Sequence, residues 1–188
     1  MSYGKVFKLL KDNNINNWLD YTKHDFVQKL ANDTLNESCF LNYLIQDYLF
    51  LIQFSKAWSL AVLKSDNLEE MRVSASTVNE LINFEMELHI SLCAKYGISK
   101  YDLENADEKN ENIAYTRYVL ELGYSGDFLD LLSALAPCVL GYGEIGLNLQ
   151  NSNTKTSITS SRHFFSSSSK NGSCKGKNSG YSYSFLVK

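Results

Sequence analysis

Residues Cys39-Phe40-Leu41-Asn42-Tyr43-Leu44-Ile45-Gln46-Asp47-Tyr48-Leu49-Phe50-Leu51-Ile52-Gln53-Phe54 decide how this chain folds. Written on a helix, they are apolar nearly all round. A helix without a broad polar face belongs in the centre of a bundle, where neighbours cover every side. Working outward, Thr34-x-x-Glu37 has the capping-box spacing and predicts a helix running from there to about Lys64. Before it, Leu19, Phe26, Val27 and Leu30 mark the apolar side of an earlier helix. After it, Asp66 or Asn67 caps a third helix that ends near Tyr96, with Gly97 placed for the left-handed C-cap conformation. Ser99 to about Ala106 reads as a short turn or helix. A fourth helix runs from about Asn110 to Leu122 and ends at Gly123. Asp127 caps the fifth, which contains Pro137 and is expected to kink there. Connections of a few residues imply antiparallel neighbours, so the expected fold is all-α, an up-and-down helical bundle. No strand pair or internal repeat competes with it.

Composition agrees. The 188 residues are 44% apolar and 21% charged, within the range of soluble globular domains, and hold one proline, which suits long helices. The net charge of −3 conceals a break at Gln150. Residues 1–150 carry 12 Lys/Arg and 21 Asp/Glu, a net of −9, whereas residues 151–188 carry 6 cations and no acid. Twelve of those last 38 residues are serine, including Ser166 to Ser169. Such a segment buries too little apolar surface to offset its ordering entropy. The expected domains are therefore a helical bundle at 1–150 and a disordered, basic, Ser-rich tail at 151–188. Neither the overall charge nor six dispersed cations make a case for nucleic acid. No uninterrupted 18-residue apolar stretch is evident, so no membrane segment is expected. Cys39, Cys93, Cys138 and Cys174 form no CxxC pair. With no signal segment at Met1-Ser2-Tyr3-Gly4-Lys5, reduced thiols and a cytoplasmic location are expected.

Two stretches carry chemistry. Asp47 falls within the apolar helix, where a carboxylate is costly unless something hydrogen-bonds it. Tyr43, Asp47, Phe50 and Phe54 share one face by their spacing. An acid flanked by aromatics suits a flat, nitrogen-rich heterocycle, whose rings stack while its amino group donates to the carboxylate. An internal partner, such as a tyrosine hydroxyl or a backbone amide, satisfies the same acid equally well. In Pro137-Cys138-Val139-Leu140-Gly141-Tyr142, proline opens the helical backbone beside Cys138, and Tyr142 follows one turn later. Cys138 is a candidate nucleophile if its pKa is lowered, or else a small buried hydrophobe. Tyr115 and Tyr118, with Glu111, make a polar-aromatic face on the fourth helix. Gly141-Tyr142-Gly143-Glu144-Ile145-Gly146 fits the GxGxxG dinucleotide pattern, but no strand precedes it, so its glycines read as close helix packing. Glu85, His89 and Cys93 lie on one helix face without the paired ExxH motifs of a di-iron site, and no metal is expected.

Taken together, these residues resemble the TenA/thiaminase II family, the aminopyrimidine aminohydrolases of thiamin salvage. The matching stretches are Trp18, Tyr21 and His24-Asp25-Phe26; Leu44-Ile45-Gln46-Asp47-Tyr48-Leu49-Phe50; Glu85 and His89; Tyr115-Thr116-x-Tyr118; and Leu135-Ala136-Pro137-Cys138-Val139-Leu140-Gly141-Tyr142-Gly143-Glu144-Ile145-Gly146. They span about residues 15–150. The resemblance implies a haem-oxygenase-like bundle that hydrolyses substituents from the methylene carbon of a 4-aminopyrimidine. Its substrates would be 4-amino-5-aminomethyl-2-methylpyrimidine, releasing ammonia, and more slowly thiamin. It implies Cys138 as nucleophile, Asp47 holding the 4-amino group and ring nitrogen, and Tyr115 and Tyr142 lining the pocket. It implies no metal or organic cofactor, and a homotetramer.

Two positions depart from the family pattern. Phe50 stands where many members carry tyrosine. After Glu144 no acid follows, whereas the family continues through two more helices bearing a pocket tyrosine and the catalytic glutamate. General acid–base help is worth about 10²–10⁴-fold, so a catalytically impaired chain that still binds aminopyrimidine is the alternative reading. A truncated or frameshifted end, lacking the last helices, is the corresponding expectation for the chain itself. A haem-oxygenase-like di-iron oxidase using Glu85 and His89 is the third.

Overall fold

The computed structural model describes residues 4–151, and among these the regular structure is helical throughout. The serine-rich stretch predicted as a tail lies outside the described residues, apart from Asn151. The chain divides into two compact units. One is residues 36–135, and the other combines residues 1–35 with those from Ala136 onward.

In the first unit, α4 (Glu37–Lys64) is the axis. It buries Phe40, Leu44, Tyr48, Leu51, Phe54, Trp58, Leu60 and Ala61 along its length, as its pattern demands. Its N-cap is Asn36, whose side chain accepts from the Ser38 N–H; the predicted Thr34 cap is displaced by two residues. Asn67 caps α5 (Leu68–Glu80) by accepting from the Glu70 N–H, and the chain returns along α4. The predicted third helix is interrupted by a π-helical turn over Leu81–Glu85, in which the Met86 N–H bonds the Leu81 carbonyl. It resumes as α6 (Met86–Lys95), and Gly97 takes φ +77 beyond its end, as expected. A π-turn inserts an extra residue and so resets which side chains face inward.

Ser99 and Asp102 form a reciprocal capping box on α7 (Lys100–Glu104). α8 (Asn110–Ser125) continues past Gly123, which sequence reading took as its end. The glycine is there for contact: a Cβ on it would lie 2.9 Å from Leu60 Cδ1 and 3.2 Å from Leu131 Cδ1. Gln46 ties α4 to the approach to α8. Its amide donates to the Asp107 carbonyl and accepts from the Lys109 N–H, each at 2.9 Å, while Asn112 donates to the Gln46 carbonyl.

In the second unit the single early helix that sequence reading marked from Leu19 to Leu30 is two, α2 (Ile15–Thr22) and α3 (Asp25–Asn32), and α1 (Gly4–Asn13), which that reading did not include, precedes them. The break falls at His24, whose extended backbone (ψ 149) and ring Nδ1, accepting from the Phe26 N–H, start α3 afresh. Against these packs the C-terminal part of α9 (Phe128–Asn151), which carries Pro137 in its interior. Glu144 accepts from Lys11 Nζ at 2.6 Å and Trp18 Nε1 at 3.1 Å. Phe128–Leu149 of α9 is long and apolar enough to cross a membrane by length and composition, although Asp130, Glu144 and Asn148 interrupt it. Half of it is buried within the protein and its Glu144 is bonded internally, the pattern of a core helix.

The GxGxxG match lies inside α9, where no strand-to-helix turn exists. Gly141 instead meets the Tyr21 ring, and an added Cβ would lie 2.3 Å from it. Gly141→Ala is therefore expected to destabilise the protein by about 1–3 kcal/mol through overpacking, measurable as a lower urea midpoint with little change in slope.

Candidate active site

Asp47 projects from the middle of α4 and is 7% exposed. The Tyr43 hydroxyl, one turn earlier on the same face, acts on it in favour of the ionised form. On its other side stands His89 of α6, fully buried, with Nδ1 3.5 Å from Asp47 Oδ2. The opposite edge of that ring is fixed, because Nε2 lies 2.7 Å from the Leu44 carbonyl oxygen. Burial dominates the electrostatics. It pushes the Asp47 carboxyl up to about 7, with Tyr43 acting the other way. It lowers the His89 imidazole, against the Leu44 bond and the Glu85 charge. One turn beyond, Cys93 is pushed up to about 11 by burial and by Asp47, so it remains a thiol at neutral pH.

An aromatic wall follows Asp47 along α4. Phe50 and Phe54 stack at 5.2 Å between centroids, and Phe50 stacks on Tyr115 of α8 at 6.2 Å and 17°. The sequence placed Tyr43, Asp47, Phe50 and Phe54 on one face, and their contacts bear out that spacing. The Tyr115 hydroxyl donates to the Ala134 carbonyl at 3.0 Å, which holds its ring at a fixed tilt. Tyr118, the other tyrosine singled out on α8, is exposed.

Cys138 and Tyr142 belong to the second unit. Cys138 is 9% exposed and follows directly on Pro137; Tyr142 is half-buried one turn on. The proline supplies no N–H to the helical ladder at that turn, the local opening that sequence reading assigned to this position. Among the described residues no three of His, Cys, Asp and Glu gather in a way that would hold a metal ion.

The pairing of His89 with Asp47 escaped sequence reading. His89 was noted for sharing a face with Glu85 and Cys93, for matching the family pattern and as a ligand of the di-iron alternative, but nothing local indicates that α6 brings it to the centre of α4. The polarity of an otherwise apolar α4 face was the available signal: a buried acid requires a partner, but spacing alone does not name one.

The family model described as TENA/THI-4/PQQC matches residues 13–169. The chain belongs to this family. An aminopyrimidine aminohydrolase of Halalkalibacterium halodurans is 35% identical over 133 residues, covering 71% of this chain and 59% of that protein. The corresponding enzyme of Helicobacter pylori is 32% identical over 145 residues, covering 77% and 67%. Among solved structures, a TenA family transcription regulator from Silicibacter sp. TM1040 superposes with a TM-score of 0.83 at 48% identity, covering 89% of this chain and 77% of that one. A TenA homologue from Pyrococcus horikoshii OT3, with a TM-score of 0.80 at 22% identity, shares the fold. The expected all-α TenA fold is thus borne out. The chain spans about three fifths of the length of the Halalkalibacterium relative.

The burial of Asp47 has a measurable sign. Its folded pKa, near 7, lies above the value of 3.8 of an unperturbed carboxyl, so between about pH 4 and 7 the folded state holds the proton more tightly. The Asp47 contribution therefore lowers stability as pH rises through that window, and its cost is complete above it. The lowered His89 works oppositely, costing stability as pH falls below 6.5. Asp47→Asn isolates the first effect, since the amide resembles the neutral acid in shape. The difference in unfolding free energy between Asp47→Asn and the parent is expected to grow from pH 4 to pH 8, reaching a few kcal/mol in favour of the amide. Denaturant titrations at the two pH values measure it.

Proposed function

We propose that this chain is a thiaminase II-like hydrolase of pyrimidine salvage, acting on 4-amino-5-aminomethyl-2-methylpyrimidine and releasing ammonia. The observation that carries the reading is Asp47: a carboxyl in an otherwise apolar helix, beside a Phe54–Phe50–Tyr115 stack. A small flat amidine matches both halves, its ring against aromatics and its amino group on an acid. Relatives named aminopyrimidine aminohydrolase support the same substrate class.

In this reading Asp47 holds the 4-amino group and adjacent ring nitrogen, and Tyr115 and Tyr142 line the ring. The Cys138 sulfur adds to the pyrimidine ring, forming a C–S bond. Electron density returned to the exocyclic carbon breaks its C–N bond, and the nitrogen leaves as ammonia after taking a proton. Water adds its hydroxyl to the methylene carbon, the C–S bond breaks, and aromaticity is restored. The sum is amine plus water giving alcohol plus ammonia. No metal or organic cofactor enters.

A second reading, retention of aminopyrimidine without turnover, rests on the same Asp47 carboxyl and Phe54–Phe50–Tyr115 stack and needs no thiol chemistry. The relative titled a transcription regulator suggests DNA contact less readily here, because a net of −9 over residues 1–150 repels phosphate.

Ammonia release from 4-amino-5-aminomethyl-2-methylpyrimidine, compared with Cys138→Ser, tests the proposal. Turnover in the parent and loss of at least about 10²-fold in the variant are expected. Tight binding with no ammonia above buffer would establish the retention reading instead, and equal rates in parent and variant would remove Cys138 from the chemistry.

A further inference from the structure

Cys138 sits at a weak point of its own helix. Pro137 has no N–H, so α9 forgoes the backbone bond that this position would give to the Ser133 carbonyl one turn back. The division of the chain into its two units falls beside it, between Leu135 and Ala136. The rotation of the Cys138–Tyr142 turn about the helix axis therefore depends less on the turn before it than on what packs against it within the second unit.

Two contacts supply that setting, and both come from α2. The Tyr21 ring lies on Gly141, so close that any side chain there would run into it. One turn on, Glu144 accepts from Trp18 Nε1 at 3.1 Å. Trp18 and Tyr21 are three residues apart on α2, and Gly141 and Glu144 three apart on α9, so the contacts form successive rungs between the two helices. The Trp18 rung is protected. Its ring is buried, Phe7 meets it edge-on at 5.2 Å between centroids, and Lys11 Nζ lies 5.3 Å over it while pairing with Glu144 at 2.6 Å. α1 buries none of its own residues; its Phe7 and Lys11 serve here to cover that bond. A charge-assisted hydrogen bond so shielded is of the stronger kind.

We propose that Trp18 and Tyr21, acting through Glu144 and Gly141, are positioning residues: they hold α9 beyond Pro137 in the rotation that sets Cys138 and Tyr142 for the reaction. This rests on the thiol chemistry proposed above. By helical spacing Gly141 and Glu144 lie roughly a third of a turn round α9 from Cys138 and Tyr142. Clasping one side of a rigid helix fixes the direction of the other, and a nucleophile misplaced by about 1 Å costs on the order of 10²-fold in rate.

Three variants of the full chain test it. Glu144→Ala removes the acceptor, Trp18→Phe keeps a ring but loses the Nε1 hydrogen, and Glu144→Gln keeps an oxygen for Trp18. Iodoacetamide labelling of the native protein, mapped by peptide mass spectrometry, reads Cys138 and also Cys93, fully buried in the first unit, as the control for global opening. Labelling at Cys138 alone is expected to quicken by about tenfold or more in Glu144→Ala and Trp18→Phe, and to stay near the parent in Glu144→Gln. In the same two variants kcat for ammonia release should fall about 10- to 10²-fold. Affinity for the alcohol product, 4-amino-5-hydroxymethyl-2-methylpyrimidine, should change by less than about threefold, because Asp47 and the aromatic stack are untouched. Parental Cys138 labelling in the folded variants overturns the brace, as does equal quickening at Cys93 or a Glu144→Gln variant as impaired as Glu144→Ala. If Glu144→Ala does not fold, Trp18→Phe decides. An unmoved kcat with Cys138 opened overturns the positioning role. A parent that releases no ammonia, with Cys138 selectively opened in the variants, overturns the catalytic reading and leaves the brace in place.

Discussion

A carboxyl at the centre of an apolar helix is the constraint around which the first unit is arranged. α4 has to be covered on nearly every side, and α5, α6, α7 and α8 supply that cover. Coverage strips water from Asp47, and a carboxylate without water needs protons or donors in its place. Tyr43 comes from α4 itself, so it costs no long-range arrangement. His89 comes from α6 and requires the return helix to be in register with α4. The π-turn at Leu81–Glu85 lies immediately before it and sets which residues of α6 turn inward. A widened turn forgoes good helical geometry, and π-turns persist most often where that loss is compensated by placing a functional side chain.

Hydrogen bonding serves two different ends in this protein. Gln46, adjacent to Asp47 in sequence, points its amide at the backbone of residues 107–109 and fixes the entry to α8. Tyr115 on α8 is then held by the Ala134 carbonyl and by stacking on Phe50. These bonds are fully matched, each donor meeting an acceptor, and they make the aromatic wall rigid. The contact between Asp47 and His89 is of another kind. It is a 3.5 Å approach rather than a hydrogen bond, and it brings together two groups whose ionisation burial opposes.

Much of this was legible in the sequence because it is local. The all-round apolar pattern of residues 39–54 announced a central helix, Asn67 and Ser99 announced helix starts, and Gly97 announced an end. Errors arose where a local signal has two physical meanings. Gly123 looked like a terminator but gives room to Leu60 and Leu131, since glycine serves close approach as well as left-handed backbone. The residues around His24 looked continuous because Leu19, Phe26 and Leu30 keep a plausible period, while the cap that breaks them depends on a ring nitrogen's aim. The site was half legible: Asp47 stood out by its cost, but its partner did not. Residues as far apart as Asp47 and His89 meet only through tertiary packing, and one sequence carries no record of that.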